Sequence, residues 1–252
     1  MKVALLVAYD GTGFSGFARQ PRARTVQGEI ETRVSLILRA DVKTTGAGRT
    51  DAGVHASGQV MSFEAPEGFP LDRLGQRMNK WIGPEVVVRA AVEVSDAFDA
   101  RFSAKRREYE YRVYRTEVPD PFRERFAVWE PGPLSVSKMR AGARALIGEH
   151  DFSAFCRKGP GSLVRRVRAV RIVPAGEDLT FKIAADSFCH QQVRSMVGLL
   201  LDVGTGRRAP DDVVAALASK DRARAGRVAP AKGLHLVRVV YRPDPFAGRR
   251  RS

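Results

Sequence analysis

KRREYEYRVYR, residues 105–115, alternates with a period of two: Arg107, Tyr109, Tyr111 and Val113 fall on one face, Arg106, Glu108, Glu110 and Arg112 on the other. Aromatic and β-branched side chains opposite a charged face describe a half-buried β-strand. This strand opens the second half of the chain. Upstream, Val3–Ala8 is a short apolar run closed by turn residues, as in a buried strand. Thr25 is placed to N-cap a helix to about Arg39, with Val26, Ile30, Val34, Ile37 and Leu38 at helical spacing. Gln59–Phe63 reads as a strand, Leu71–Trp81 as a helix and Val86–Val94 as a strand. That order makes residues 1–104 an α+β unit of the ferredoxin-like kind. Downstream, prolines 119, 121, 131 and 133 punctuate loops around a short Phe126–Trp129 strand. Ser135 caps a helix to Ile147, and Val164–Val173 and Leu179–Asp186 read as strands. Helices over Gln191–Val203 and Pro210–Ala218 lead to a last strand, Leu234–Tyr241. The tail GRRRS, residues 248–252, is expected to fray.

Charge divides the chain more sharply than hydropathy. Residues 1–104 carry 13 basic and 12 acidic side chains, residues 105–252 carry 30 and 16, so the net +15 resides almost wholly in the second half. A basic half reads as a polyanion-binding surface, because neutralising phosphates releases condensed counterions. Net charge speaks to association and not to fold, so an arginine-rich composition without a partner is the plainer alternative. A membrane surface fits less well, since the cations are not gathered on one amphipathic helix. No apolar run reaches the roughly 18 residues of a membrane span. MKVALLVAYDG reads as a first strand and not a signal peptide. Two cysteines, Cys156 and Cys189, make neither a disulfide framework nor a CxxC pair, and the expected location is cytoplasmic.

Two glycine-rich stretches compete for the chemistry. Gly11, Gly13 and Gly16 in GTGFSG spell G-x-G-x-x-G after a strand, but a dinucleotide site needs the helix to open at those glycines. Pro21 intervenes and the helical pattern starts near Val26. A flexible or phosphate-contacting loop, basic at Arg19, Arg22 and Arg24, fits better. The second stretch, GAGRTDAGVHASGQV at 46–60, lacks the ending of a P-loop. Its Asp51 and His55 are too few for a metal site, and Cys189–His190 lacks the further ligands of a zinc centre. From residue chemistry alone, Asp51 is either a cap in a structural turn or a catalytic carboxylate.

GRTDAGVHA resembles the signature of the TruA family of pseudouridine synthases. The likeness continues through YDGTGFSGF, TVQGEIE, QVMSFE, DAFDARFSAKRREYEYRVY, GEHDFSAFC, FCHQQVRSMVG and AKGLHLVRV, nearly the whole chain. The chain departs from the family at Phe17 and Ala18, where a Trp and a polar residue are expected. The resemblance implies a pseudouridine synthase fold: two ferredoxin-like halves, 1–104 and 105–252, sharing a mostly antiparallel mixed sheet with a central cleft. It implies conversion of uridine to pseudouridine at positions 38, 39 and 40 of the tRNA anticodon stem-loop, by a homodimer; no metal or organic cofactor is needed, because the isomerisation is redox-neutral. It maps the catalytic Asp onto Asp51, a tyrosine onto Tyr109 and an arginine onto Arg194.

The residues support these roles independently. Moving ribose C1′ from uracil N1 to C5 needs one placed carboxylate, acting on ribose or base or assisting as a base. Such an Asp must stay ionised when the substrate desolvates it, which calls for a cation. Arg194 begins a helix that is apolar nearly all round, so it should be part-buried and need an anion; a structural pair with Asp186 or Asp202 is the alternative. Tyr109 is placed either to stack on a flipped uracil and assist proton transfer from C5, or simply as sheet core. Arg49 is positioned to contact phosphate or fill the space of a flipped nucleotide. His55 reads as a loop hydrogen-bonder that touches substrate. Arg165, Arg166, Arg168 and Arg171 either track RNA backbone or form a solvated face. The rival classes are a nucleotide-cofactor enzyme and an RNA-binding protein with a dead site.

Overall fold

The computed structural model describes residues 1–157 and 161–249. The tail expected to fray lies outside the described residues from Arg250 on. The chain folds as two compact units, Met1–Lys105 together with the chain from Leu236 on, and Arg106–His235.

The first unit runs β1 (Lys2–Tyr9), α1 (Val26–Leu38), β2 (Thr45–Gly46), β3 (His55–Glu64), α2 (Leu71–Ile82) and β4 (Val86–Val94). α1 starts where its cap dictates: Thr25 is extended and its hydroxyl accepts the Gly28 N–H at 3.2 Å. Val26, Ile30 and Val34 are buried as the spacing predicts, and so is a carboxylate, Glu31. α2 turns Leu74, Met78 and Ile82 inward. β1 is antiparallel to both neighbours, with Leu5 opposite Met61 on β3 and opposite Ala91 on β4. Val3–Val7 are all buried, so both faces of β1 are covered, which accounts for the unbroken apolar run. Fully buried Leu5, Ile30 and Met61 each contribute about 1.5–3 kcal/mol by leaving water.

The second unit holds β5 (Arg106–Tyr114), β6 (Val128–Trp129), α3 (Val136–Arg144), β7 (Gly148–Asp151), β8 (Val164–Ala175), β9 (Asp178–Ala185), α4 (Gln192–Gly204) and α5 (Asp211–Ser219). Its strands lie in the order β5-β9-β8-β7, all antiparallel, with β6 added to β5 in parallel. Arg107, Tyr109, Tyr111 and Val113 form the buried face of β5, as the alternation requires. The expected Phe126–Trp129 strand shortens to its last two residues because the chain from Asp120 to Phe126 turns on its own backbone hydrogen bonds. α4 is buried along almost its entire length, which accounts for its lack of a polar face.

The last strand, β10 (Leu234–Val240), serves the first unit, whose strand order is β4-β1-β3-β10. Gly58 on β3 admits it: a Cβ there would lie 2.2 Å from the Val237 carbonyl oxygen. Lys105 N–H donates to the Val240 carbonyl at 2.8 Å, and the Tyr241 hydroxyl to the Ala100 carbonyl at 2.7 Å.

Cys156 and Cys189 had no expected bond, yet the fold joins them in a disulfide with Cα atoms 5.8 Å apart. The residues are 33 apart in sequence and meet because the short helical turn Ser153–Phe155 and the residues leading into α4 come together in the second unit. Among the described residues no helix is long and apolar enough to cross a membrane.

Candidate active site

Asp51 sits half-buried on the loop that enters β3. The loop turns tightly, the Val54 N–H donating to the Asp51 carbonyl at 3.2 Å with Gly53 at φ 76°, a conformation that favours glycine. Its neighbour Thr50 is held twice: the carbonyl accepts the Phe17 N–H at 3.1 Å, and the hydroxyl bonds the Tyr9 hydroxyl at 2.9 Å. Two residues further back, the Gly48 carbonyl accepts from Gln59 Nε2 at 2.8 Å.

The GTGFSG segment forms the wall against which this loop is pressed. A Cβ at Gly11 would lie 2.0 Å from the Val54 carbonyl oxygen, and one at Gly16 would lie 3.1 Å from that of Thr50. Gly11 N–H donates to His55 Nδ1 at 3.1 Å. Gly11 is therefore required by close backbone approach, and Gly16 by its φ of 100° as well. α1 opens well beyond them at Val26, so its N-terminal amides do not meet the glycine loop as a dinucleotide site demands.

The other expected contacts of the first unit differ in availability. Arg49 and Arg22 are exposed. Arg19 pairs with buried Glu31 at 3.0 Å. Arg24 pairs with Glu85 at 2.8 Å and Glu29 at 3.2 Å, and lies over the Phe14 ring. His55 is buried, with Nδ1 also 3.2 Å from Asp10. Sequence reasoning missed Glu31, which also accepts from the Thr44 N–H at 2.9 Å and from Gln27 Nε2 at 3.1 Å. The available signal was an acidic residue inside the apolar stripe of α1.

In the second unit, Tyr109 is buried on β5 opposite Ile183, its ring edge-to-face with Phe188 at 5.2 Å. The structure separates it from Tyr111, which residue chemistry ranks equally. The Tyr111 hydroxyl donates to the Pro230 carbonyl at 2.9 Å, and its ring stands where a Cβ on Gly233 would be, 2.7 Å away. Burial pushes the Tyr111 hydroxyl well above the usual phenol range, so Tyr111 is a core residue.

Arg194 is the third residue of α4 and half-buried. Its Nε donates to the Ala229 carbonyl at 2.8 Å, while the Ala229 N–H donates to the Arg194 carbonyl at 3.1 Å. Gly198 lets this strap approach, since a Cβ there would be 2.0 Å from the Arg227 carbonyl oxygen. The carboxylates weighed as alternative partners are taken by other arginines. Asp186 accepts from both Arg168 Nε and Nη2, and Asp202 pairs with Arg207 at 3.0 Å and Arg227 at 3.1 Å. Of the β8 arginines, Arg168 is so engaged, Arg166 pairs with Glu149 at 2.9 Å, and Arg171 is exposed.

A half-buried carboxylate presented from a glycine-lined turn is an arrangement suited to chemistry that needs one placed acid. The sequence profile described as tRNA pseudouridine synthase matches residues 5–103 and 143–242. The chain belongs to the tRNA pseudouridine synthase family. It is 43% identical over 251 residues to tRNA pseudouridine synthase A of Frankia casuarinae, covering 97% of this chain and 91% of that one. It is 40% identical over 242 residues to the enzyme of the same name from Brevibacillus brevis, covering 95% and 99%. The Geobacillus kaustophilus enzyme of that name is also 40% identical, over 247 residues, covering 96% and 95%.

Proposed function

We propose that the protein isomerises uridine to pseudouridine in tRNA, at positions 38, 39 and 40 of the anticodon stem-loop, with Asp51 as the catalytic carboxylate. The observation that carries the reading is the placement of Asp51. It stands half-buried at the head of a turn whose preceding residue is fixed through both carbonyl and hydroxyl. The glycosidic bond from ribose C1′ to uracil N1 breaks and a bond from C1′ to C5 forms. The C5 proton leaves, N1 gains one, and the product is an isomer of the substrate. A carboxylate held in place lowers this barrier without having to be ordered at the moment of reaction.

Arg194, oriented by the Ala229 carbonyl, supplies a cation to the reaction. Tyr109 offers a ring face to the uracil and a hydroxyl to the proton leaving C5. Arg49 fills the space of the flipped nucleotide, as its exposure on the Asp51 loop permits. Arg22 contacts phosphate directly, whereas Arg19 and Arg24 must exchange a carboxylate partner to do so. The net +14 of residues 105–252 supports a tRNA-backbone surface. The working form is a cytoplasmic homodimer.

The test is tritium release from an unmodified tRNA transcript labelled at uracil C5 at positions 38–40. Release by the wild type and none by Asp51→Ala is expected. Equal release by both would remove Asp51 from the mechanism, and no release from several tRNAs would remove the activity.

A further inference from the structure

Tyr9 is a buried titratable residue that the proposed chemistry does not use, yet it bonds the residue next to the catalytic carboxylate. Its hydroxyl lies 2.9 Å from Thr50 Oγ1, and Gln59 Nε2 donates to it at 3.4 Å and to the Gly48 carbonyl at 2.8 Å. Gln59 Oε1 accepts the Val60 N–H at 3.1 Å, which fixes the amide's orientation. The Tyr9 hydroxyl thus links the Gln59 amide to the Thr50 hydroxyl, and either hydroxyl can donate in the bond between them. All three side chains are buried, and Tyr9 and Gln59 sit on the paired strands β1 and β3. Two sheet strands thereby grip the Asp51 loop at Gly48 and Thr50, the residues three and one before Asp51.

We infer that Tyr9, Thr50 and Gln59 are positioning residues for Asp51, setting the carboxylate relative to uridine through one continuous hydrogen-bonded relay. This rests on Asp51 being the catalytic carboxylate, as proposed above. Burial pushes the Tyr9 hydroxyl up to about 12, so it remains a neutral phenol throughout the working range and takes no part as a base. The relay acts through geometry: displacement of a reacting group by about 1 Å costs up to a hundredfold in rate.

The experiment compares Tyr9→Phe, Thr50→Val, Thr50→Ser and the Tyr9→Phe/Thr50→Val double variant. Three readouts are taken: tritium release at saturating tRNA, tRNA affinity, and hydrogen exchange of the Gly48–Val54 amides. Tyr9→Phe keeps the ring packed near Phe17, with centroids 6.3 Å apart, so it should fold even if Thr50→Val does not. The expected result for Tyr9→Phe is a rate loss of about tenfold at saturating tRNA with affinity within about twofold. Thr50→Ser should keep the rate, and the double variant should be no slower than the slower single, as a shared relay requires. Loop amides should exchange about tenfold faster in Tyr9→Phe, a result that does not depend on turnover. Unchanged loop exchange, or a Tyr9→Phe rate within about twofold of wild type, overturns the relay. A silent wild type with faster loop exchange leaves the relay standing and sinks the proposed activity instead.

Discussion

Replacing Gly198 by alanine sets helix propensity against packing, and the two predict opposite signs. Gly198 lies inside α4, where alanine is ordinarily favoured by about 1 kcal/mol. A Cβ at this position would sit 2.0 Å from the Arg227 carbonyl oxygen and 3.3 Å from the Ala229 nitrogen, against a floor of 3.0 Å for real contacts. The strap Arg227–Ala229 must therefore retreat by about 1 Å, which takes the 2.8 Å bond from Arg194 Nε to the Ala229 carbonyl beyond hydrogen-bonding range. Overpacking costs about 1–3 kcal/mol. The lost charge-assisted bond adds roughly 1.5–3 kcal/mol. Set against the propensity gain, the net loss is about 1.5–5 kcal/mol, or a fall of roughly 3–20 °C in Tm for a chain of this size. Arg194 also loses its orientation, so turnover should fall with the Tm. Thermal unfolding by circular dichroism and tritium release on the same preparation read the two effects. A Gly198→Ala protein as stable as the wild type, or more so, would refute the close-approach reasoning for α4.

Asp51→Asn should reduce turnover by at least about a thousandfold while tRNA affinity stays near wild type, as measured by filter binding; comparable loss of affinity would assign Asp51 a binding role instead. Arg22→Ala and Arg49→Ala should each lower the salt dependence of tRNA binding by about one unit of log–log slope. Arg19→Ala and Arg24→Ala should lower it less, because their guanidinium groups already pair with carboxylates; equal slopes for all four would contradict that ranking. Tyr9 gives a pH prediction: its hydroxyl is pushed up to about 12 by burial, whereas the unfolded chain ionises near 10. Its contribution is full below about pH 10 and drains as pH rises through about 12, by up to roughly 3 kcal/mol. Urea titrations across that window should show stability falling more steeply in the wild type than in Tyr9→Phe, and parallel curves would count against it.

Local patterning made most elements legible. The cap at Thr25, the alternation of β5 and the all-round apolar character of α4 each follow from a single physical cause, and each element lies within a residue or two of where that cause puts it. What escaped notice is non-local or too short to carry a period. β7, Gly148–Asp151, is a four-residue edge strand of polar and charged residues with no apolar alternation. Glu31 is buried because Arg19, Gln27 and Thr44 converge on it, and no pattern along α1 announces those partners. The grip of Tyr9 and Gln59 on the Asp51 loop depends on the register of β1 against β3. The glycines of GTGFSG imitate a dinucleotide motif because both uses require a backbone stripped of Cβ; only the position of the following helix tells them apart. For the site itself, residue chemistry left Asp51 undecided between a cap and a catalyst, and the resemblance of GRTDAGVHA to a known signature named it.

The return of β10 to the first unit has a bearing on biosynthesis. Residues up to Lys105 leave the ribosome with one side of β3 covered only around Met61 and Ser62, by β2, and the strand that covers the rest begins some 130 residues later. At about 5–20 residues per second the nascent chain holds that edge open for roughly 7–26 s. An unpaired edge of this kind is a template for pairing with other chains. The unit that carries Asp51 thus acquires its final strand only after the second unit has been made, so a product terminated before Leu234 would retain the acid but expose an unpaired sheet edge.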